Sequence, residues 1–152
     1  MKNKPDLEKI LPHNHPMILI DELLYADLEK AEAKASVTIN ENKIFYDKTV
    51  EGADYLTGIE FMAQTVGCYA FYKNNRTKPE VGFLLGTRQF KNNIERFEKG
   101  KTYTIKAKEI FTDNELVSFE CFIYNDTVEC QRAVINVYQP KAGSLDIAGM
   151  YG

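Results

Sequence analysis

GIEFMAQTVGCYAFY, residues 58–72, decides how the chain must fold. It is long enough for four helical turns and apolar on nearly every side. As a helix it must be enclosed rather than laid on a surface. Yet Glu60 stands near its start and Gln64 follows one turn later. A carboxylate in a segment built for burial costs several kcal/mol, to order of magnitude, unless it is paired or neutralised. A working acid or base is one common reason for accepting that cost. The plainer reading is a first-turn acid that complements the helix dipole.

Working outward, the flanking sequence reads mostly as strands. PDLEKIL, residues 5–11, opens at a proline and reads as a short helix or turn. PMILIDELLYAD, residues 16–27, reads as one strand. In AEAKASVTIN, residues 31–40, Ala31, Ala33, Ala35, Val37 and Ile39 share one face at period 2. Residues 41–57 carry no clear period and read as a loop. After the helix, KNNRTKPE brings polar residues and a proline. VGFLLGTRQF, KTYTIKAKEIF, ELVSFECFIY and TVECQRAVINVYQP then read as four strands, the last two joined at NDT by a tight turn. The order is two strands, one enclosed helix and four strands. It predicts an α+β hotdog fold, a curved antiparallel sheet wrapped around one long hydrophobic helix. Residues 1–140 are expected to form the single domain, and residues 141–152, KAGSLDIAGMYG with its small residues, a flexible tail. A lone sheet of this kind leaves an edge open, so a homodimer or larger assembly is expected.

Bulk properties narrow the function. With 152 residues the chain has room for one proper core, and a net charge of −3 argues against a general nucleic-acid binder. No apolar run reaches membrane-spanning length, and MKNKPDLEKI lacks the apolar stretch of a signal peptide. A cytoplasmic protein without membrane or nucleic-acid partners is expected. Cys68, Cys121 and Cys130 lie in apolar runs without CxxC spacing and read as reduced core thiols. His13 and His15 have no partner in metal-ligand spacing, so no metal site is expected.

Two stretches resemble a known family. LPHNHPMILID, residues 11–21, is similar to the opening of the 3-hydroxyacyl-acyl-carrier-protein dehydratases, and GIEFMAQ to the start of their central helix. Typical fatty-acid dehydratases carry a histidine in a Gly-His-Phe-Pro loop before that helix. Here the region reads FYDKTVEGADYLT and holds no histidine. The sequence more closely resembles the ApeP-like branch associated with aryl-polyene pathways. That branch has a Pro-His near the N-terminus, a Met-x-Leu-x-Asp strand and a Gly-x-Glu-x-Met-Ala-Gln helix, and residues 12–21 and 58–64 match all three.

The resemblance implies a dehydratase that turns a 3-hydroxyacyl thioester into a trans-2-enoyl thioester without a cofactor. Its substrate would be carried on the phosphopantetheine arm of an acyl carrier protein. The reaction needs a base for the C2 proton, an acid for the departing C3 hydroxyl, and donors for the thioester carbonyl. Glu60 suits the acid. The resemblance selects His13 as the base, while His15 has no counterpart in the pattern. Gly58, at the helix start, offers a backbone N–H to the thioester oxygen. Gln64, on the same face as Glu60, would orient it or touch the substrate. Plainer readings stand beside these: His13 as a local cap, Gln64 satisfying buried backbone, and Tyr69, Phe71 and Tyr72 as packing. Lys73, Arg76 and Lys78 read either as a solvated helix end or as a contact for an acidic carrier protein. Two other functions fit the same fold. One is an acyl thioesterase in which the helix carboxylate activates water. The other is a non-catalytic acyl-binding partner subunit.

Overall fold

The computed structural model describes residues 5–11, 17–74 and 83–139. Helix α1 (Leu7–Ile10) starts where the Asp6 carboxylate accepts the Glu8 N–H at 3.0 Å. Strands β1 (Glu22–Asp27) and β2 (Glu32–Thr38) form a hairpin, and the short β3 (Gly52–Asp54) leads into helix α2 (Thr57–Lys73). There follow β4 (Phe83–Asn92), β5 (Arg96–Glu98), β6 (Thr102–Asp113), β7 (Leu116–Asn125) and β8 (Val128–Tyr138). Six strands make one antiparallel sheet in the order β1-β2-β6-β7-β8-β4, and β3 pairs with β5 apart from it. This is the arrangement expected, with α2 against β1, β2, β6, β7 and β8.

The sheet has a reason to receive a helix. Ala33 of β2 pairs with Ala107 of β6, Ala107 with Cys121 of β7, and Cys121 with Ala133 of β8. All four are fully buried. This row of small side chains crosses four strands and leaves a trough where larger residues would stand, so the thick α2 sits close to the sheet. Aromatic residues fill its flanks. Phe61 meets Phe45 and Phe97 edge-on, with ring centroids 5.2 and 5.3 Å apart. Tyr69 meets Phe119 in the same way.

Two expectations change in detail. The first strand begins at Glu22: the Asp21 N–H still reaches Ser36 O of β2, but the Leu19 and Ile20 N–H groups before it are taken by Gln64 of α2 rather than by a neighbouring strand. The loop over residues 41–57 contains β3, whose partner β5 lies more than forty residues further on. The expected tail at residues 141–152 lies outside the described residues. Among the described residues no helix is long and apolar enough to cross a membrane.

Candidate active site

The carboxylate-bearing end of α2 is assembled from three directions. The chain enters through a tight turn in which the Asp54 carboxylate accepts the Leu56 N–H at 2.7 Å. Gly58 N–H donates to Tyr55 O and Ile59 N–H to Leu56 O, both at 3.2 Å. Leu56 stands at the N-cap and supplies no side-chain oxygen. Glu60 lies in this first turn, half-buried. The Gly58 N–H expected to meet a thioester oxygen is therefore used inside the turn.

Gln64 is 1% exposed, and its amide is shared among four groups. Its Oε1 accepts the N–H groups of Leu19 at 2.8 Å and Ile20 at 3.4 Å. Its Nε2 donates to Met17 O at 2.8 Å and to Glu60 Oε1 at 3.4 Å. Three of these four partners are backbone groups of residues 17–20, and the fourth is Glu60. Gln64 also fastens residues 17–20 to the helix, satisfying backbone that would otherwise be buried without partners.

His13 and His15 lie outside the described residues, and so do Arg76 and Lys78. The described chain on either side of the two histidines rests on the same face of α2. Met17 is bound to Gln64. Leu11 presses so closely on Gly67 that a Cβ there would lie 2.8 Å from its Cδ2. Glu60, Gln64 and Gly67 follow one another along a single helix face.

A second carboxylate touches the far half of α2. Lys73 Nζ donates to Glu109 Oε1 at 2.6 Å, and Thr112 donates to Glu109 Oε2. Burial pushes the Glu109 carboxyl up, but the bonds from Lys73 and Thr112 outweigh it and hold the group below the usual carboxylate range. Burial, with Glu109 alongside, pushes the Tyr69 hydroxyl up to about 12. The three thiols are buried and unbridged. Burial raises Cys68 to about 12 and moves Cys121 and Cys130 in the same direction, which removes them as nucleophiles near neutral pH. Among the described residues no group of three His, Cys, Asp or Glu side chains is placed to hold a metal ion.

Sequence reasoning missed Gln131. It is fully buried on β8, and its Nε2 donates to Tyr55 O at 2.7 Å and Asn92 Oδ1 at 2.9 Å. The signal was present: Gln131 occupies the inward alternation shared by Ala133, Ile135 and Val137, an amide in an apolar row.

The family profile described as ApeP-like, ApeP dehydratase, matches residues 5–149. The chain belongs to the ApeP-like dehydratase family. A curated relative, the 3-hydroxyacyl-acyl-carrier-protein dehydratase FabZ of Chlamydia trachomatis, is 28% identical over 118 residues, covering 71% of this chain and 76% of the relative. Among solved structures, the dehydratase heterocomplex ApeI:P from Xenorhabdus doucetiae superposes with a TM-score of 0.82 at 21% identity, covering 99% of both chains. A hypothetical thioesterase with coenzyme A from Streptococcus pneumoniae superposes at 0.62 with 10% identity, covering 78% of this chain and 84% of that one. The fold is the hotdog, and within this ApeP-like family the chain is a dehydratase.

Proposed function

We propose that the chain removes water from 3-hydroxyacyl groups carried as thioesters on an acyl carrier protein, with His13 as base and Glu60 as acid. The observation that carries the reading is the placement of Glu60. It is the single carboxylate in α2, set in the first turn and joined through Gln64 to the chain that follows the Pro-His motif. His13 takes the C2 proton, the electrons of that C–H bond form the C2–C3 double bond, and the C3–O bond breaks. Glu60 gives its proton to the departing hydroxyl, which leaves as water. The products are a trans-2-enoyl thioester and water, and no cofactor is consumed. Gln64 keeps the carboxyl turned toward the substrate.

A cytoplasmic homodimer goes with this reading. Strand β4 is an open edge of the sheet, and Leu84 and Leu85 on it are 48% and 60% exposed. An edge of that kind invites a second copy. Sedimentation at micromolar concentration is expected to show a dimer or a multiple of it.

The thioesterase reading keeps one supporting observation, the likeness of fold to the Streptococcus pneumoniae protein. Mass spectrometry of a 3-hydroxyacyl-carrier-protein substrate separates the cases. Loss of water is expected. Loss of the acyl group indicates the thioesterase, and tight binding without turnover indicates an acyl-binding subunit. Glu60→Gln and His13→Ala should each lower dehydration by about 100-fold or more, and the double variant should be little worse than either. The reading also requires the two side chains within about 8 Å, the span one substrate carbon bridges at catalytic hydrogen-bond distances. A crystal structure with His13 remote from every Glu60 in the assembly would end it.

A further inference from the structure

We infer that Gln131 is a positioning residue for Glu60, acting from β8 on the turn through which the chain enters α2. The inference rests on Glu60 as the catalytic acid. Helices usually start at a Ser, Thr, Asp or Asn whose side chain accepts a backbone N–H. Leu56 stands at that position in α2 and makes no such bond. Asp54 closes the turn just before it by accepting the Leu56 N–H, and the turn is held from outside as well. Tyr55 O accepts the Gly58 N–H at 3.2 Å from within the turn and Gln131 Nε2 at 2.7 Å from the sheet.

Chemistry fixes which way the Gln131 amide points. Its two near partners, Tyr55 O and Asn92 Oδ1, are both acceptors, so the NH2 must face them. Asn92 is oriented in turn, because its own NH2 donates to Ile94 O at 2.6 Å. The Gln131 Oε1 is thereby turned toward Gly58 and fills the place of a side chain there. A Cβ on Gly58 would lie 1.9 Å from it. Gly58 is thus the residue that lets the glutamine reach the helix.

That Oε1 is buried without a hydrogen-bond partner. An unmet acceptor in the interior is a cost, and an apolar side chain of similar size would avoid it. Stability alone therefore gives poor reason for glutamine here. Placement gives a better one. Gln131 joins β8 to the turn at Tyr55, five residues before Glu60, and lies against Gly58 at the helix start, while Gln64 reaches the Glu60 side chain and holds residues 17–20. Two buried glutamines thus flank Glu60, one holding the turn that leads to it and the other reaching its carboxyl. A displacement of the order of 1 Å at a reacting group costs up to about 100-fold in rate.

The test is a cycle on the full-length chain, Gln131→Met with and without Glu60→Gln, assayed on 3-hydroxydecanoyl-acyl carrier protein. Methionine keeps the volume and removes the bond to Tyr55 O. Gln131→Met alone should lower kcat about 10-fold and leave KM within about 2-fold, because a misaimed acid fails in the transition state while the substrate still binds. In the Glu60→Gln background it should cost no further activity. Equal losses in both backgrounds would show a merely structural residue and overturn the inference, leaving Glu60 as the acid. Full activity of Glu60→Gln alone would overturn the acid and the inference with it. Should Gln131→Met show no cooperative melting, Asn92→Ala at an exposed position takes its place, since it frees the same amide. It should lower kcat a few-fold in the wild-type background and not in Glu60→Gln, and unchanged kcat in both overturns the inference.

Discussion

Glu60 lies in the first turn of α2 and Glu109 on β6 beside its last turn, and the described groups that reach them differ. Glu109 receives an ammonium from the helix itself, Lys73, and a hydroxyl from its own strand, Thr112. Its side chain is 16% exposed, and its proton affinity is lowered. Such a carboxylate is a strut: it joins β6 to the helix and stays ionised. Glu60 takes a 3.4 Å bond from the neutral amide of Gln64, which is itself busy tying down residues 17–20. The difference teaches that a carboxylate beside a buried helix is classified by what its neighbours are doing, not by its burial.

The sharpest way to break this contrast is to neutralise each acid in turn. Glu60→Gln should cost dehydration about 100-fold, near 2.7 kcal/mol of transition-state stabilisation, with the thermal midpoint moved by no more than a few degrees. Glu109→Gln should keep turnover within about 2-fold. Exchanged outcomes would reverse the two roles. Gln64→Leu should come next in size. It strands the Leu19 N–H and Met17 O, and should lower the unfolding free energy by about 2 kcal/mol in urea titrations while also reducing turnover.

Glu109→Gln should destabilise by about 1 kcal/mol at pH 7, the partial exposure of Lys73 keeping the value small. Its sign with pH is fixed. The folded carboxyl ionises below its ordinary value of 4.5, so the contribution is present above that pH and fades as pH falls through the folded value. Melting curves of the variant and the parent should converge as the pH is taken down through the folded value, and a constant gap would count against the strut. Tyr69→Phe should be the smallest change, about 0.5 kcal/mol at neutral pH. Because the folded hydroxyl ionises near 12 rather than 10, the parent loses stability as pH climbs through that window. The variant should lose less, as midpoints from pH 8 to 11 would show.

Periodic features were legible from sequence, and contacts spanning the chain were not. The all-round apolar stretch from residue 58 announced α2. The alternation of Tyr103, Ile105 and Ala107 announced β6, whose inward face those residues form. β3 and β5 are three residues each and exist through pairing with one another, as Ala53 with Phe97. No period survives in so short a strand. The first strand was read too long because residues 17–21 have strand-like composition, while a helix side chain takes the Leu19 and Ile20 N–H groups. Glu60 and Gln64 were legible as polar residues where apolar ones belonged. Gln131 carried the same kind of signal, but its meaning depends on Tyr55, 76 residues away in sequence.

The Gln64 clamp also gives the protein a built-in clock. The Leu19 and Ile20 amides belong to no strand, yet they are sealed against a buried helix side chain. Their hydrogens can exchange with solvent when the first turns of α2 part from this segment, and fraying of the β1–β2 edge hairpin does not release them. In deuterium-exchange time courses these two positions should keep pace with the helix rather than with their neighbours in sequence. The rate at which they take up label would then measure how often the carboxylate end of α2 opens to water.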